Sequence, residues 1–472
     1  MLGVVFAVAF ISLWVQIEGL IGTDGILPAE EFLDAVEQQI GIERYLLLPT
    51  WGWLGASNTF LNLYCAAGTA LSLLLMFGVA PMWCLLALWS LYLSLAGLCQ
   101  VFLSFQWDVL LLEVSFLAIF LWPGHRFKRR PTGHKFSQVG RLLLVYLLAR
   151  LMFQSGMVKL ASGDLTWWSL SALDYHYWTQ PLPTWIGLWV HGLPSYVGRM
   201  SVAVMFVVEL VLPFLVFAPR RLRATAAIGF ILFQCLIAIT GNYGFFNLLT
   251  VVLCLLLVDD RMWPEAVRMR LGHDAPTKFI VAPRGRWTRV GYGVAMVYVA
   301  ITLIQTGSML GWRSPEQWIQ PFTRKLSSFR SINQYGLFAS MTTRRPEILI
   351  EGSSDGNVWQ TYEFVYKPGT LTRAPSILPG HMPRLDWQMW FAALGDYRSH
   401  PWFMRVLESL LEGKDDVLDL FEHNPFPDTP PRLVRARLYD YRPATAEQRR
   451  ATGEWWTREV RGLYCPVLQM PR

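Results

Sequence analysis

The sequence predicts a polytopic α-helical membrane protein of about nine spans with a C-terminal extracytoplasmic α/β domain containing a β-sandwich-like part. Three observations carry that prediction: a deficit of charge, a series of apolar runs of bilayer length, and a change of texture after Gly311. Only 16% of the 472 residues are charged, 53% are hydrophobic and the mean hydropathy is +0.32. Soluble domains carry about 25% charged residues, so much of this chain belongs in lipid. The division expected is a multi-span domain at 1–310, with an aromatic extracytoplasmic loop at 160–199, and a soluble extracytoplasmic domain at 311–472.

A spanning helix needs roughly 17–25 mostly apolar residues. Phe60–Val79, Met82–Leu103, Arg141–Leu160, Met200–Ala218, Ala224–Thr240 and Val290–Leu310 meet that length. Leu2–Ile17, Val109–Trp122 and Gly244–Val258 are shorter candidates. Leu2–Ile17 has no basic n-region and no small-residue cleavage site, which argues against a signal peptide. Either the bilayer thins around it or the chain begins upstream.

Basic residues mark cytoplasmic loops. Arg126, Lys128, Arg129, Arg130 and Lys135 form one such loop, Arg220, Arg221 and Arg223 a second. Arg261, Arg268, Arg270, Lys278, Arg284, Arg286 and Arg289 form a third. Alternate crossings put all three on one side, with the N-terminus inside and everything after Gly311 outside. The net charge of +7 is therefore read as loop bias, and no nucleic-acid partner is expected.

In the C-terminal part, Glu347–Glu351 and Trp359–Tyr366 flank Asp355–Gly356 and read as a β-hairpin. Leu385–Leu394, Pro401–Leu411 and Asp415–Glu422 read as helices, and Leu433–Tyr441 and Glu454–Leu463 as strands. Five of the six cysteines lie in apolar runs and none forms a C-x-x-C pair, so neither zinc nor redox chemistry is indicated. Cys465 is expected to be the exposed one.

Charges within spans are expensive and mark function or pairing. Arg150 has two natural partners, Glu113 and Glu209, and a structural role for the three is one reading. Lys159 ends its helix on the outer side, where snorkelling to the interface is expected. Beyond it lie Trp168 and Asp174–Tyr175–His176–Tyr177, then Gln180. This aromatic density fits either an interfacial belt or a groove that grips an apolar partner. Asp174 two residues before His176 suggests an oriented acid–base pair, although an extended segment does not bring the two into contact by spacing alone. Lys159, His176 and Asp174 are the catalytic candidates. No G-x-S-x-G, P-loop or H-E-x-x-H occurs, and no cofactor or metal is expected.

Lys159–Leu160, Leu173–Asp174–Tyr175–His176–Tyr177, Thr179–Gln180–Pro181 and Gly241–Asn242–Tyr243–Gly244 resemble the signature of the lipase maturation factor family. So do Asn333–Gln334–Tyr335–Gly336, Arg344–Arg345–Pro346–Glu347, Arg384–Leu385–Asp386–Trp387–Gln388–Met389–Trp390 and His423–Asn424–Pro425–Phe426. The membrane part is also similar, more distantly, to the multi-helix region of vitamin K-dependent γ-carboxylases. The first resemblance implies a chaperone-like role in maturing secreted proteins such as lipases, in the endoplasmic reticulum or, in a bacterium, the periplasm. Trp168, Asp174, Tyr175, His176, Tyr177, Gln180, Arg384, Trp387 and Trp390 are then the candidates for client or substrate binding, with membrane lipids as further partners. The second implies an integral-membrane enzyme modifying a lipid or protein, with Lys159 as base.

Overall fold

The computed structural model describes residues 1–121, 137–259, 286–312 and 316–470, and single positions at 262 and 266. The basic residues expected at 126–135 and 261–284, and the side chains of Arg286 and Arg289, lie outside the described residues. The helices are α1 (Leu2–Trp14), α2 (Ile17–Ile21), α3 (Ala29–Ile40), α4 (Arg44–Leu47), α5 (Asn58–Met76), α6 (Pro81–Leu98), α7 (Gln106–Ile119) and α8 (Gln138–Ala161). There follow α9 (Leu165–Trp168), α10 (Leu173–Thr179), α11 (Trp185–His191), α12 (Ser195–Phe206), a π-helical turn at Val207–Val211, α13 (Leu212–Leu215), α14 (Arg220–Thr240), α15 (Phe246–Cys254), α16 (Arg286–Met309) and α17 (Glu316–Ser327).

Six described helices are long and apolar enough to cross a membrane: Asn58–Met76, Pro81–Leu98, Gln138–Ala161, Ser195–Leu215, Arg220–Thr240 and Gly291–Met309. They coincide with the six long runs of the sequence. Leu2–Trp14 and Phe246–Leu257 are apolar but shorter. Prolines set several starts: Pro81 occupies the first turn of α6, while Pro194 and Pro219 immediately precede α12 and α14. Helix α1 lies inside the bundle, with Phe6, Phe10 and Leu13 fully buried. It packs on α5 where Gly68 makes room, since a Cβ there would fall 2.3 Å from the Phe10 ring.

The C-terminal region holds β1 (Arg345–Ser353), β2 (Gln360–Phe364), α18 (Arg384–Ala393), α19 (Pro401–Glu412), α20 (Asp415–Leu418), β3 (Phe421–His423), β4 (Leu433–Pro443), α21 (Ala446–Thr452) and β5 (Trp456–Gln469). The expected hairpin is present, with Ile350 opposite Tyr362. The strands form one antiparallel sheet in the order β3-β2-β1-β4-β5. Where a β-sandwich-like part was expected, no second sheet covers it among the described residues. One face, through Ile348 and Ile350, joins the core that includes α18 and α19. The other carries Leu349, Tyr439, Tyr441 and Trp456 onto Trp178 and Leu188 of the 160–199 loop. Both faces of β1 are buried, so its period-2 pattern does not report what covers it.

Two further expectations are corrected. The run Asp415–Glu422 is helical only to Leu418, because Phe421 turns into β3 to pair opposite Phe364. Cys465 is fully buried, since β5 runs on past Leu463 and sets it opposite Ala436, with its Sγ 3.9 Å from Met404 Sδ. The exposed cysteine is Cys235, on α14. The largest contiguous apolar cluster among the described residues extends from Val5 of α1 to Cys465 of β5.

Candidate functional site

A charge inside an apolar bundle must be paired and hydrogen-bonded. Three such assemblies occur on α7 and α8 among the described residues. In the first, Glu113 of α7, fully buried, pairs with Arg150 of α8. Its carboxylate also accepts from Tyr298 Oη at 2.6 Å, from Tyr335 Oη, and from Asn333 N and Nδ2 at 3.1 and 3.0 Å. In the second, Arg384 of α18 grips Asp108 of α7 with two bonds, Nη1–Oδ2 at 2.6 Å and Nη2–Oδ1 at 2.9 Å. Tyr92 Oη donates to the same carboxylate at 2.7 Å.

The third assembly borders a cavity of about 650 Å³ between α8, α12, α14 and the 160–199 loop. Pro213 shapes it. A proline has no N–H to offer the carbonyl four residues back, here that of Glu209, and its ring crowds that carbonyl. The helix widens there into the π-turn Val207–Val211, a form that recurs at functional sites. Gly156 of α8 lets that turn approach, because a Cβ would sit 2.7 Å from Leu210 Cδ2 and 3.0 Å from Glu209 Cβ. Glu209 thereby meets Lys159, whose Nζ donates to Oε1 at 2.9 Å, to Oε2 at 2.8 Å and to the Ser155 carbonyl at 2.9 Å. Lys159 is buried, so it does not snorkel. Its ammonium is thus held by one carboxylate and one backbone carbonyl.

His176, Tyr243 and Gln180 form a chain at the outer end of the cavity. Gln180 Nε2 faces two backbone carbonyls, Thr240 at 2.7 Å and Tyr177 at 3.2 Å, which leaves Oε1 as an acceptor. Tyr243 Oη donates its only proton to that oxygen at 2.7 Å. The 3.2 Å contact between Tyr243 Oη and His176 Nε2 then requires the imidazole to donate. Burial, followed by the charge of Lys159, pulls the His176 pKa down from 6.5 to about 4, so the ring is neutral near pH 7. Phe338 packs edge-on against it at 4.7 Å. Phe338 has φ +55, a strained conformation for a bulky residue, held by the bond from Trp167 Nε1 to its carbonyl.

The predicted residues therefore separate. Lys159, His176 and Tyr177 line the cavity with Glu209. Asp174 does not bond His176: the segment is helical, and its Oδ1 lies beside Gly198 of α12. Tyr175 is half-buried between the sheet face and Trp167. Trp168 is 61% exposed and stands outside the cavity. Gln180, Arg384, Trp387 and Trp390 are interior, Trp390 Nε1 bonding the Thr179 carbonyl at 2.7 Å, so a docked protein does not reach them. Sequence reasoning missed Asp108, which lies just ahead of the apolar run it was scanned for, and Tyr243, which was given no chemistry. Of the intramembrane charges, Glu113 takes Arg150 and Glu209 takes Lys159.

A family model for the lipase maturation factor transmembrane domain matches residues 1–265, and one for the lipase maturation factor C-terminal domain matches residues 331–466. The chain belongs to the lipase maturation factor family. Among its relatives, lipase maturation factor 2 of Rattus norvegicus is 36% identical, over 96% of this chain and 80% of that protein. Lipase maturation factor 2 of Homo sapiens is 35% identical over the same shares, and lipase maturation factor 1 of Homo sapiens 32% over 99% and 86%. No solved structure matches the chain. This lipase maturation factor family member is a polytopic integral membrane protein. Its two matched regions meet at buried carboxylates: Arg384 of the second pairs with Asp108 of the first, and Asn333 and Tyr335 of the second donate to Glu113 of the first.

Proposed function

We propose that the protein assists the folding, assembly or maturation of secreted proteins, lipases among them, on the luminal or periplasmic side of its membrane. The observation that carries this reading is the match of both family regions, in order, to proteins named lipase maturation factors. The client surface in this proposal is β5, an edge strand with Val460, Leu463 and Val467 roughly half exposed or more. An edge strand offers free backbone groups to an extended segment of a partly folded partner. Trp168, Trp185 and Trp189 of the 160–199 loop add exposed aromatic surface.

The orientation proposed is a cytoplasmic N-terminus, nine crossings that count α1, α7 and α15, and an outer C-terminal region. Its support is that every connection assigned to the outer side touches that region. Gln16 Nε2 donates to the Met382 carbonyl, Arg384 and Gln388 to the carbonyls of Phe102 and Val101, Arg345 to those of Trp178, Gln180 and Pro181, and Asn242 to that of Ser376. The enzymatic alternative has no support from Lys159, which is held as an ion pair by Glu209 and bonded to the Ser155 carbonyl. The test is crosslinking of the tagged full-length protein in its native membrane, with Val460→Lys/Leu463→Lys beside wild type. Secreted hydrolases captured by wild type and lost from the variant are the expected result. Recovery of no secreted protein counts against the proposal.

A further inference from the structure

The cavity has a size, an entrance and a polar end that together describe a ligand. At about 650 Å³ it falls within the ~300–1,000 Å³ range of small-molecule sites. Its walls are mostly apolar, from Leu151, Met205, Phe233 and Phe338 among others. Met200 and Val204 of α12 and Leu236 of α14 line it and are each more than half exposed. Ser195–Leu215, which α12 begins, and α14 are both long and apolar enough to span, so the entrance between them lies where acyl chains surround the protein. A ligand enters sideways, from the bilayer.

The polar end discriminates by charge. Lys159 and Glu209 neutralise each other on the cavity wall, so a carboxylate head meets Glu209 and a cationic head meets Lys159. Neither finds a free counter-charge. One acceptor on the wall that has no protein partner belongs to His176. Its Nε2 is committed to Tyr243, while Nδ1 has no protein partner and is not among the buried unpaired atoms. Nδ1 is therefore accessible, on a side chain that lines the cavity. A neutral imidazole that donates through Nε2 presents a lone pair at Nδ1.

We propose that the cavity binds a single-chain, uncharged lipid whose free hydroxyl donates to His176 Nδ1, with its acyl chain running out between α12 and α14. The left-handed backbone at Phe338 serves that site by holding the ring edge-on to the imidazole. The proposal is independent of the client-assembly role and does not require it.

The test uses the purified full-length protein in phospholipid nanodiscs and three photoreactive probes of equal chain length: a monoacylglycerol, its O-methylated counterpart and the free fatty acid. The expected result is crosslinking to α12 and α14, with the monoacylglycerol favoured about tenfold over the other two, the worth of one hydrogen bond in an apolar site. His176→Phe should keep the crosslinks and erase the preference over the O-methylated probe, while the free fatty acid stays disfavoured by Glu209. Val204→Trp, at the half-open entrance, should cut crosslinking of all probes at least tenfold. Equal yields from the three probes in wild type, a preference for the fatty acid, or undiminished crosslinking in Val204→Trp would overturn the proposal.

Discussion

Replacing Arg384 with methionine removes one side of a doubly bonded ion pair that sits at 1% and 0% exposure. Asp108 is then left with the Tyr92 hydroxyl as its remaining side-chain donor. Breaking a buried pair from one side costs about 3–5 kcal/mol, because the surviving charge has lost its compensation. Asp108→Leu should cost a similar amount from the other direction, stranding a guanidinium that retains the Phe102 carbonyl at 3.2 Å. The double variant Arg384→Met/Asp108→Leu carries no buried charge and should recover most of the loss, short of about 1 kcal/mol for the orphaned Tyr92 hydroxyl. With about 3–5 kcal/mol for each single variant and about 1 kcal/mol for the double, the coupling energy expected from the cycle is about 5–9 kcal/mol in magnitude. The assay is reversible denaturant unfolding in mixed micelles, followed by tryptophan fluorescence. Single variants within about 1 kcal/mol of wild type, or single costs that simply add in the double variant, would refute the reasoning.

Gly156→Leu should push α8 off the π-turn and separate Lys159 from Glu209, destabilising the protein by about 2–4 kcal/mol; Lys159→Met should do likewise, and Lys159→Met/Glu209→Leu should be milder than Lys159→Met, all by the same unfolding assay. His176 should make stability pH-dependent. With its pKa lowered from 6.5 to about 4, the unfolded state takes up a proton that the folded state refuses, so the contribution is intact above about 6.5 and is lost as pH falls toward 4. The loss amounts to at most about 3 kcal/mol and should vanish in His176→Gln; an unaltered profile in that variant would exclude the assignment. A lipid-soluble maleimide should label Cys235 in the folded protein, whereas Cys465, buried and with its thiol pushed up to about 11 by burial, should react only after unfolding. Peptide mapping by mass spectrometry decides it.

The bundle was legible because lipid leaves a strong imprint: uninterrupted apolar length finds α5, α6, α8, α12, α14 and α16 with errors of a few residues. The buried charges were legible as a set but not as pairs. Glu113 and Glu209 were both available to Arg150 on sequence grounds, and the choice depends on a π-turn made by Pro213 and a gap made by Gly156, neither of which shows in hydropathy. Lys159 was misplaced for the same reason, since a helix-end lysine and a helix-end lysine facing Glu209 read alike. The cavity left no local pattern at all, because its walls come from segments scattered between Gln106 and Phe338. The sheet's second face was hidden too: alternation in β1 is masked when the loop residues Trp178 and Leu188 bury the side that would otherwise be wet.

The dependence of Glu113 and Asp108 on distant residues has a consequence for biosynthesis. Both sit in α7, made early, while their partners Tyr298, Asn333, Tyr335 and Arg384 emerge from the ribosome much later. Until translation has passed residue 384, the nascent bundle holds carboxylates that lack their final donors, and Glu113 has only Arg150 from the early helices. The membrane part therefore cannot reach its mature packing on its own schedule. A premature stop anywhere before residue 333 should yield a chain that inserts yet remains a substrate for quality-control proteolysis, so the last third of the gene product certifies the first.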